Sequence, residues 1–533
     1  MAAPQTESHG VLADETGSNH NSLVSSPDKA NGVQIVAFDG PSDKRNPYNW
    51  SETKKWLVAG MAMLGTLTLT LNGTSITIAA DQIAEQFHIA DTATFTHTYW
   101  TTTSWTLGGA VFIIVGLPLM EDIGVQAGFL TSYILFLLFV IPQAVATNYA
   151  TLVVSRFFSG GLVALCANTI SSIIPDLWAT DKARSFPVSI YIVCYLVGST
   201  LGPVLFAGVV QATNSFRWIF YIQLILYGTL LPFYILILRE TRPNIILRRI
   251  ASRLQNSSSP STSHTFTTAD DISSPGLIPH LLTSIRRPMY LLFTEPVLAA
   301  STLWSAFAFG TVFVFTQSVE QVFQSLYGWS AYTCGYVQGA VVIGEILGWL
   351  VSLPSIRIYL ASASRNTESP GTPIPEARLY VSVAGSFIGI TGGMFVYAWT
   401  SSPFLPWIAP ATGLLMVGFG IQVVVSAVAD YVTDAYAESG YAGSAISAVA
   451  AGENVIAGLL PLATQSMYTN LGFRWASTLI GFLALGVTFA PVVFIWKGRT
   501  LRERSPFMKS AGKRGGVVAG GEEKGEEEDE GKS

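Results

Sequence analysis

The chain has 533 residues, of which 50% are apolar and only 12% are charged, and its mean hydropathy is +0.44. Soluble chains carry about 25% charged residues, so the composition excludes an ordinary soluble protein. The net charge of −5 comes largely from the acidic end Glu522–Glu530 and gives no reason to expect nucleic-acid binding. Apolar runs of about twenty residues separate short charged stretches, and this is the length of a helix that crosses a bilayer.

Residues 1–45 are rich in Ser, Asn, Gly and Asp without hydrophobic periodicity, which predicts a disordered tail without a cleavable signal peptide. Six predicted spans follow: Trp56–Ala80, Thr98–Leu119, Gly128–Ala146, Leu152–Ile174, Pro187–Val210 and Trp218–Leu238. The polar stretch from Arg239 to Glu295 comes next, with the Ser/Thr-rich Asn256–Ser274 at its centre. Six more predicted spans are Val297–Gln317, Ala331–Leu353, Leu379–Trp399, Trp407–Ala429, Ser444–Ser466 and Trp475–Trp496.

This order predicts an all-α membrane protein with two six-helix bundles and a site between them. The bundles are expected at 46–238 and 296–497, with a cytoplasmic linker at 239–295 and a cytoplasmic tail at 498–533 that is disordered beyond residue 505. About 26 of the 29 Lys and Arg residues fall on the side of the two chain ends, whereas the opposite loops hold only Arg217 and Arg474. The positive-inside rule therefore places both chain ends in the cytoplasm.

Short motifs around these spans carry a family resemblance. They are Asn46-Pro47-Tyr48-Asn49-Trp50-Ser51, Arg156-Phe157-Phe158-Ser159-Gly160, Gly198-Ser199-Thr200-Leu201-Gly202-Pro203, Glu240-Thr241-Arg242-Pro243, Pro375-Glu376-Ala377-Arg378-Leu379 and Leu471-Gly472-Phe473-Arg474-Trp475-Ala476. Together they resemble the major facilitator superfamily, and most of all its twelve-span drug:proton antiporter branch, which is common in fungi. The resemblance covers residues 46–505 and implies the major facilitator fold, alternating access and proton-coupled export.

The stretch between spans two and three departs from the family pattern. Leu117–Gln126 keeps Glu121 and Gly124, to which the resemblance assigns a gating or packing role. It lacks all the basic residues, which in the family tie the two bundles together in the outward-open state. In span eleven, Glu453 stands where many relatives have a basic residue.

Three charged residues lie inside predicted spans, namely Arg156, Glu345 and Glu453. Charge is costly there and usually faces a cavity or a partner, so these are candidate proton-coupling residues. Burial favours the neutral form of a carboxyl group, so Glu345 could carry the transported proton. The alternatives are a structural bond from Arg156 to carbonyl groups or an acid, and a hydrogen-bonded packing role for Glu345. Two further acids at the cytoplasmic end of span ten are expected to be solvated: Asp430 and Asp434.

The glycines of span five predict close helix packing. Gly198 and Gly202 share one helix face, which lets two backbones approach closely. Pro203 removes a backbone hydrogen bond and favours a kink. We therefore expect this helix at the interface between the bundles, where it would take part in a rocking motion, with ordinary packing as the alternative.

Uncharged polar and aromatic residues inside the spans are candidate substrate ligands: Asn72, Trp105, Asn168, Tyr195, Gln223 and Gln338. Such a lining suits a bulky amphiphilic compound better than a sugar or a phosphate. Hydrogen bonding between helices is the alternative role for each of these residues.

The sequence has neither a Gly-x-x-x-x-Gly-Lys-Ser/Thr phosphate loop nor histidines at metal-ligand spacing, so we expect no cofactor, no metal and no enzyme. The leading hypothesis is a monomeric, proton-coupled exporter of a drug, toxin or secondary metabolite in the plasma membrane. Its partners would be a small organic substrate, protons and the lipid bilayer. An uptake carrier, an uncoupled facilitator and a non-transporting membrane sensor are the alternatives.

Overall fold

The structure is a computed structural model that describes residues 24–28, 33–40, 42–92, 95–257, 265–268, 277–366, 371–437, 439–505 and 507. The chain divides into two compact units. The smaller unit consists of Met1–Trp50 and Pro243–Pro275, and the larger unit consists of Ser51–Arg242 and Gly276–Ser533. Most of the predicted disordered tails and the centre of the predicted linker lie outside the described residues.

The smaller unit contains a three-stranded sheet in the order β1-β2-β3. Strand β1 is Val24–Asp28, β2 is Val33–Val36 and β3 is Thr265–Thr267. Strand β2 pairs antiparallel with β1 and parallel with β3. The prediction of disorder across residues 1–45 was therefore wrong for β1 and β2. The β-branched residues of β2 favour a strand, but its partner β3 is too distant along the chain for local sequence to show the pairing.

The described residues of the larger unit contain twelve membrane-crossing segments, which we number as spans 1–12. Spans 1–6 are Glu52–Thr74, Trp100–Ile123, Val125–Ala144, Tyr149–Leu177, Asp181–Thr213 and Arg217–Ile237. Span 7 is Pro296–Tyr327, and span 8 combines Ala331–Val337 with Gly339–Ser362. Span 9 combines Tyr380–Ala384, Gly385–Gly392 and Gly393–Thr400, whereas span 10 is Ile408–Ala435 and span 11 begins with Ala442–Leu459. Span 12 is the second part of the helix Thr464–Arg504.

Spans 11 and 12 follow each other without a long loop. The continuous helical stretch Ala442–Arg504 has 63 residues, and a straight helix of that length would measure about 95 Å, three times the roughly 30 Å of a bilayer core. The chain reverses at Gly472, whose φ of 77° and ψ of 162° end the helix. This backbone conformation lies in the region that favours glycine, so the stretch forms two crossings.

Two segments differ from the predicted boundaries. Residues Leu277–Thr294, predicted as part of a polar linker, form a helix of the larger unit. Span 7 extends to Tyr327, ten residues beyond the predicted end at Gln317. The prediction stopped at the first polar residues, whereas the helix continues through Glu320 and Gln324 because their side chains line a polar cavity instead of facing lipid.

The first half of the larger unit, spans 1–6, packs on the second half, spans 7–12, chiefly through two helix pairs. Span 2 contacts span 11, and span 5 contacts span 8. Since span 1 begins and span 12 ends on the same side, we call the side with Glu52 and Arg504 the terminal face. The other side is the distal face.

Candidate functional site

A cavity of about 310 Å³ lies between the two halves in the part of the membrane domain nearer the terminal face. Spans 4 and 5 form one wall, and spans 10 and 11 form most of the other. Side chains that line it include Asn168, Tyr191, Tyr195, Ile446, Val449 and Glu453. A cavity at the junction of two helical bundles, lined by apolar residues with a few polar groups, is a typical small-molecule site.

The wall of this cavity is predominantly apolar. It includes Ile174, Val188, Ile192, Val425, Ile446 and Val449. The ring of Tyr195 stacks on that of Phe309 in span 7, with 5.6 Å between the ring centroids and 23° between the planes. Two of the predicted substrate ligands, Asn168 and Tyr195, are therefore on the cavity wall, and they are placed next to surface that suits an apolar ligand.

Three acidic residues line this cavity: Asp430, Asp434 and Glu453. Glu453 lies in span 11, and only 7% of its surface is exposed. Ser305 in span 7 donates a short hydrogen bond to its Oε1 atom. The neighbouring Asn454 lies against Gly109 of span 2, where a Cβ atom would be 2.7 Å from the Asn454 Oδ1 atom. A carboxyl group is thus placed where this cavity meets the contact between the two halves.

Glu345 is completely buried in span 8 and does not belong to the residues that line this cavity. The Thr200 hydroxyl of span 5 donates a hydrogen bond of 2.7 Å to its Oε1 atom. Its Oε2 atom is buried without a hydrogen-bond partner among the described residues. A buried carboxyl group with one unpaired oxygen is costly when it is charged. The single hydrogen bond of Glu345 comes from the other half of the membrane domain.

Arg156 in span 4 is completely buried and binds backbone carbonyl groups. Its guanidinium donates to the carbonyl oxygens of Asn72, Gly73 and Thr101, at 2.7, 2.5 and 3.0 Å respectively. It also donates to the Asn72 Oδ1 atom at 2.9 Å. These contacts join spans 1, 2 and 4 of the first half, and they correspond to the structural alternative named above for Arg156.

Three of the predicted substrate ligands belong to the same network instead of lining the cavity. Trp105 Nε1 donates to Asn72 Oδ1 at 2.9 Å, and Asn72 Nδ2 donates to Gln223 Oε1 at 2.8 Å. Gln223 Nε2 in turn donates to the Ser75 hydroxyl at 2.8 Å. The buried guanidinium needs acceptors, and Asn72 supplies two of them. Trp105 and Gln223 in turn hold the Asn72 side chain in place.

The sixth predicted ligand, Gln338, is also absent from this cavity wall. It separates the two helical segments of span 8 and is 4% exposed. The sequence shows that a polar residue lies inside a span, but it does not show whether the side chain faces a cavity or another helix.

The glycines of span 5 pack against span 1 and not against the other half. A Cβ atom at Gly198 would be 2.1 Å from the Thr70 hydroxyl, and one at Gly202 would be 2.5 Å from the backbone nitrogen of Ser75. Span 5 does lie at the interface between the halves, where it contacts span 8, but these two glycines face span 1 of its own half. Close packing itself is present, and Pro203 lies within the continuous helix Asp181–Thr213.

The turn between spans 2 and 3 depends on Gly124, whose φ is 102°. Span 2, which includes Glu121, ends immediately before this glycine, and span 3 begins immediately after it. Glu240, after span 6, accepts a hydrogen bond from the backbone N–H of Val125 at 3.2 Å. A carboxylate stabilises the N-terminus of a helix. The bond also links the turn, which has no basic residues, to the segment that follows span 6.

The expectation that Asp430 and Asp434 are solvated was wrong for Asp434, whereas 30% of the Asp430 side chain is exposed. Arg378 at the start of span 9 donates to Asp430 at 3.1 Å and to Asp434 at 2.9 Å. Its guanidinium also lies 3.5 Å from the ring centroid of Tyr359 in span 8. Only 7% of the Arg378 side chain and 9% of the Asp434 side chain are exposed. The sequence motif around Arg378 was recognised, but its partners, more than fifty positions away, were not.

Comparison with known proteins identifies the class that this fold and cavity define. A sequence profile of the Major Facilitator Superfamily matches residues 62–448. The chain therefore belongs to the Major Facilitator Superfamily, whose members are transporters and not enzymes, and it is a multi-pass membrane protein. The predictions of the family and of the twelve-helix fold are confirmed.

Relatives of the chain include fungal transporters. It is 29% identical over 490 residues to the MFS transporter cpaT of Aspergillus oryzae, covering 90% of this chain and 94% of the relative. It is 31% identical over 473 residues to the MFS-type efflux pump MFS2 of Trichophyton rubrum, covering 88% and 77%. The human organic anion transporter MFSD10 has the same fold, with a TM-score of 0.56, 16% identity and coverage of 82% and 99%. The chain is accordingly a secondary transporter.

Proposed function

We propose that this transporter exports a bulky, largely apolar organic compound, of the secondary-metabolite type, in exchange for protons. The observation that carries the proposal is the cavity between the halves, in which an apolar wall surrounds the buried carboxyl group of Glu453. A compound with an apolar body and one hydrogen-bonding group fits such a wall. Relatives named as an efflux pump and as transporters of a citrinin biosynthesis cluster support the direction and the substrate class.

The exchange requires a carboxyl group that is protonated in one conformation and releases the proton in another. Glu453 lines the cavity, and Glu345 bonds to Thr200 of the opposite half. Separation of spans 5 and 8 would remove that hydrogen bond and expose Glu345 to water, which favours its charged form. We therefore assign proton coupling to the second half, with Glu345 and Glu453 as the carboxyl groups and Arg156 as a structural residue.

The proposed orientation places the terminal face in the cytoplasm. The positive-inside distribution of Lys and Arg supports this assignment. The cavity lies in the terminal-face half of the domain, so a cytoplasmic substrate would enter it directly. We further propose a monomer, because the site is formed by the two halves of one chain, and we propose the plasma membrane as its location because export from the cell requires it.

Flux measurements in sealed inside-out vesicles test this function. Uptake of a panel of amphiphilic secondary metabolites is measured with and without an imposed pH gradient, acid inside. Proton-coupled export predicts accumulation above equilibrium only with the gradient. Gradient-independent equilibration would indicate a facilitator, accumulation with the reversed gradient would indicate an uptake carrier, and binding without flux would indicate a sensor.

Glu453→Gln keeps the size and hydrogen bonding of the side chain but cannot titrate, so it should abolish gradient-driven accumulation. Glu503→Gln is the matched control, because Glu503 is 61% exposed and pairs with Arg499 on the surface. Normal accumulation by the Glu503 variant and loss in the Glu453 variant would support the assignment. Equal accumulation by both variants would contradict the role of Glu453.

A further inference from the structure

A second cavity, of about 250 Å³, lies between the halves near the distal face. It is formed by the distal ends of spans 2, 7 and 11 and by the segment between spans 1 and 2, which includes the short helix Ala80–Phe87. Polar side chains that line it include Asp81, Thr102, Thr316, Gln317, Glu320 and Gln321. None of the residues that line the cavity near the terminal face also lines this one. The two cavities are therefore separate sites in this conformation.

Hydrogen bonds between the halves form a barrier between the two cavities. The Tyr99 hydroxyl of the first half donates to the carbonyl oxygen of Phe313 at 3.0 Å and lies 2.9 Å from the Thr316 hydroxyl. The Thr103 hydroxyl donates to the carbonyl oxygen of Gly458 at 3.0 Å. Opening of the distal cavity to the other one would require these bonds to break.

The charge of the distal cavity is negative. The carboxylates of Asp81 and Glu320 line it, together with Asp91, which already accepts hydrogen bonds from Thr98. Gln324 Nε2 donates to the Glu320 Oε1 atom at 2.9 Å and orients that carboxylate. Among the described residues that line this cavity there is no Lys, Arg or His. The site therefore has an excess of negative charge that no basic side chain on its wall neutralises.

Two buried side chains on this wall have unused hydrogen-bonding atoms. Gln317 is 8% exposed, and neither its Nε2 nor its Oε1 atom has a hydrogen-bond partner among the described residues. Thr102 is 1% exposed, and its hydroxyl is also without a partner there. A buried polar group left without a hydrogen-bond partner destabilises the folded protein. The unpaired atoms of Gln317 and Thr102 are evidence for a ligand that is independent of the carboxylates.

We propose that the distal cavity binds a small organic cation through its ammonium group. The carboxylates of Asp81 and Glu320 supply the charge, while Gln317 Oε1 and the Thr102 hydroxyl supply further acceptors. This site is distinct from the cavity assigned above to the exported compound, and the inference does not depend on that assignment.

The size and the ligand set favour an organic cation over a metal ion. A single water molecule occupies about 30 Å³ of liquid volume, far less than the 250 Å³ of the cavity. The described part of the chain contains no group of three or more His, Cys, Asp or Glu arranged to hold a metal ion. An ammonium group with alkyl substituents would fill the space and keep its charge near both carboxylates.

Equilibrium binding of radiolabelled triethylammonium, which keeps one N–H donor beside its positive charge, to the purified full chain in lipid nanodiscs tests the proposal, because both faces are then accessible. Ionic strength is held constant with sodium chloride. We expect saturable binding that Glu320→Gln and Asp81→Asn each weaken at least tenfold. Glu85→Gln is the matched control, because Glu85 is an exposed carboxylate on the same short helix as Asp81 but does not line the cavity. Its affinity should equal that of the wild type.

Two further variants test whether the cation binds in the distal cavity and not elsewhere on the chain. Gln317→Leu should weaken triethylammonium binding, because it removes an acceptor for the N–H group. It should not lower the thermal unfolding midpoint, since the atoms it removes are unpaired. A lower midpoint with unchanged binding would overturn the role of Gln317. Glu453→Gln should leave binding unchanged, because Glu453 lines the other cavity. Absence of saturable binding, unchanged binding in the Glu320 variant or loss in the Glu453 variant would each overturn the proposal.

Discussion

Thr200 in span 5 donates a hydrogen bond of 2.7 Å to Glu345 in span 8, and this bond joins the two halves of the membrane domain inside the protein. The Oε2 atom of Glu345 is buried without a partner in the part of the chain that the structure describes. The protonated carboxyl suits this environment because it is neutral. The charged form requires water, so the charge on Glu345 is linked to whether the two helices are in contact.

Glu345→Gln should abolish transport driven by a pH gradient and leave substrate binding within about tenfold, or 1.4 kcal/mol. The amide keeps the size of the side chain and an oxygen that accepts from Thr200, but it cannot exchange a proton. Binding and gradient-driven flux are measured on the same preparation. Loss of binding together with loss of flux would indicate a structural role for Glu345 and would contradict this prediction.

Gly198→Ala should destabilise the protein, because the added Cβ atom would be 2.1 Å from the Thr70 hydroxyl and 2.5 Å from the Leu67 carbonyl oxygen. Overpacking of this kind costs about 1–3 kcal/mol. Gly228→Ala is the matched control, because a Cβ atom there meets no heavy atom within 4 Å. Thermal unfolding midpoints of the purified variants compare the two, and equal midpoints would show that span 5 does not depend on this contact.

Arg378→Leu should lower the free energy of unfolding by about 3–5 kcal/mol, because it leaves two partly buried carboxylates without their counter-ion. The Asp434 side chain is only 9% exposed. Arg499→Leu is the control, since the Arg499–Glu503 pair is more than 60% exposed on both sides and such pairs contribute about 1 kcal/mol or less. Chemical unfolding of both variants checks this; similar losses would refute a special role for Arg378.

Epitope tags placed within Asn256–Ser274 and after Ser533 should both be on the cytoplasmic side. An even number of spans and the positive-inside distribution of Lys and Arg require this. Antibody labelling of intact and permeabilised cells distinguishes the two sides. A tag labelled in intact cells would contradict the proposed orientation.

The span order could be predicted from the sequence because a bilayer requires long apolar helices, and this signal is strong in every span. Boundaries were less predictable where a polar helix end is buried by other helices, as at Glu320 in span 7. The strand Val33–Val36 was missed because its pairing with Thr265–Thr267 is not local.

The candidate site was harder to predict than the fold. Asn72 and Asn168 are both polar residues within spans, but only Asn168 lines the cavity near the terminal face, whereas Asn72 binds Arg156. The direction of a side chain around a helix depends on how the helices pack, and composition does not contain that information. The sequence indicated Glu345 and Glu453 because charge inside a span is rare, which is a signal that does not depend on packing.

The central claim is that carboxyl groups in the second half couple export to protons, and proton movement itself tests it most directly. A pH-sensitive dye is enclosed in acid-inside vesicles that contain the purified protein, and a transported compound is added outside. We predict that the compound releases protons from vesicles with the wild-type protein and with Glu503→Gln, but not from those with Glu345→Gln or Glu453→Gln. Proton release at the wild-type rate in both the Glu345→Gln and the Glu453→Gln protein, across the pH range in which buried carboxyl groups titrate, would contradict the account.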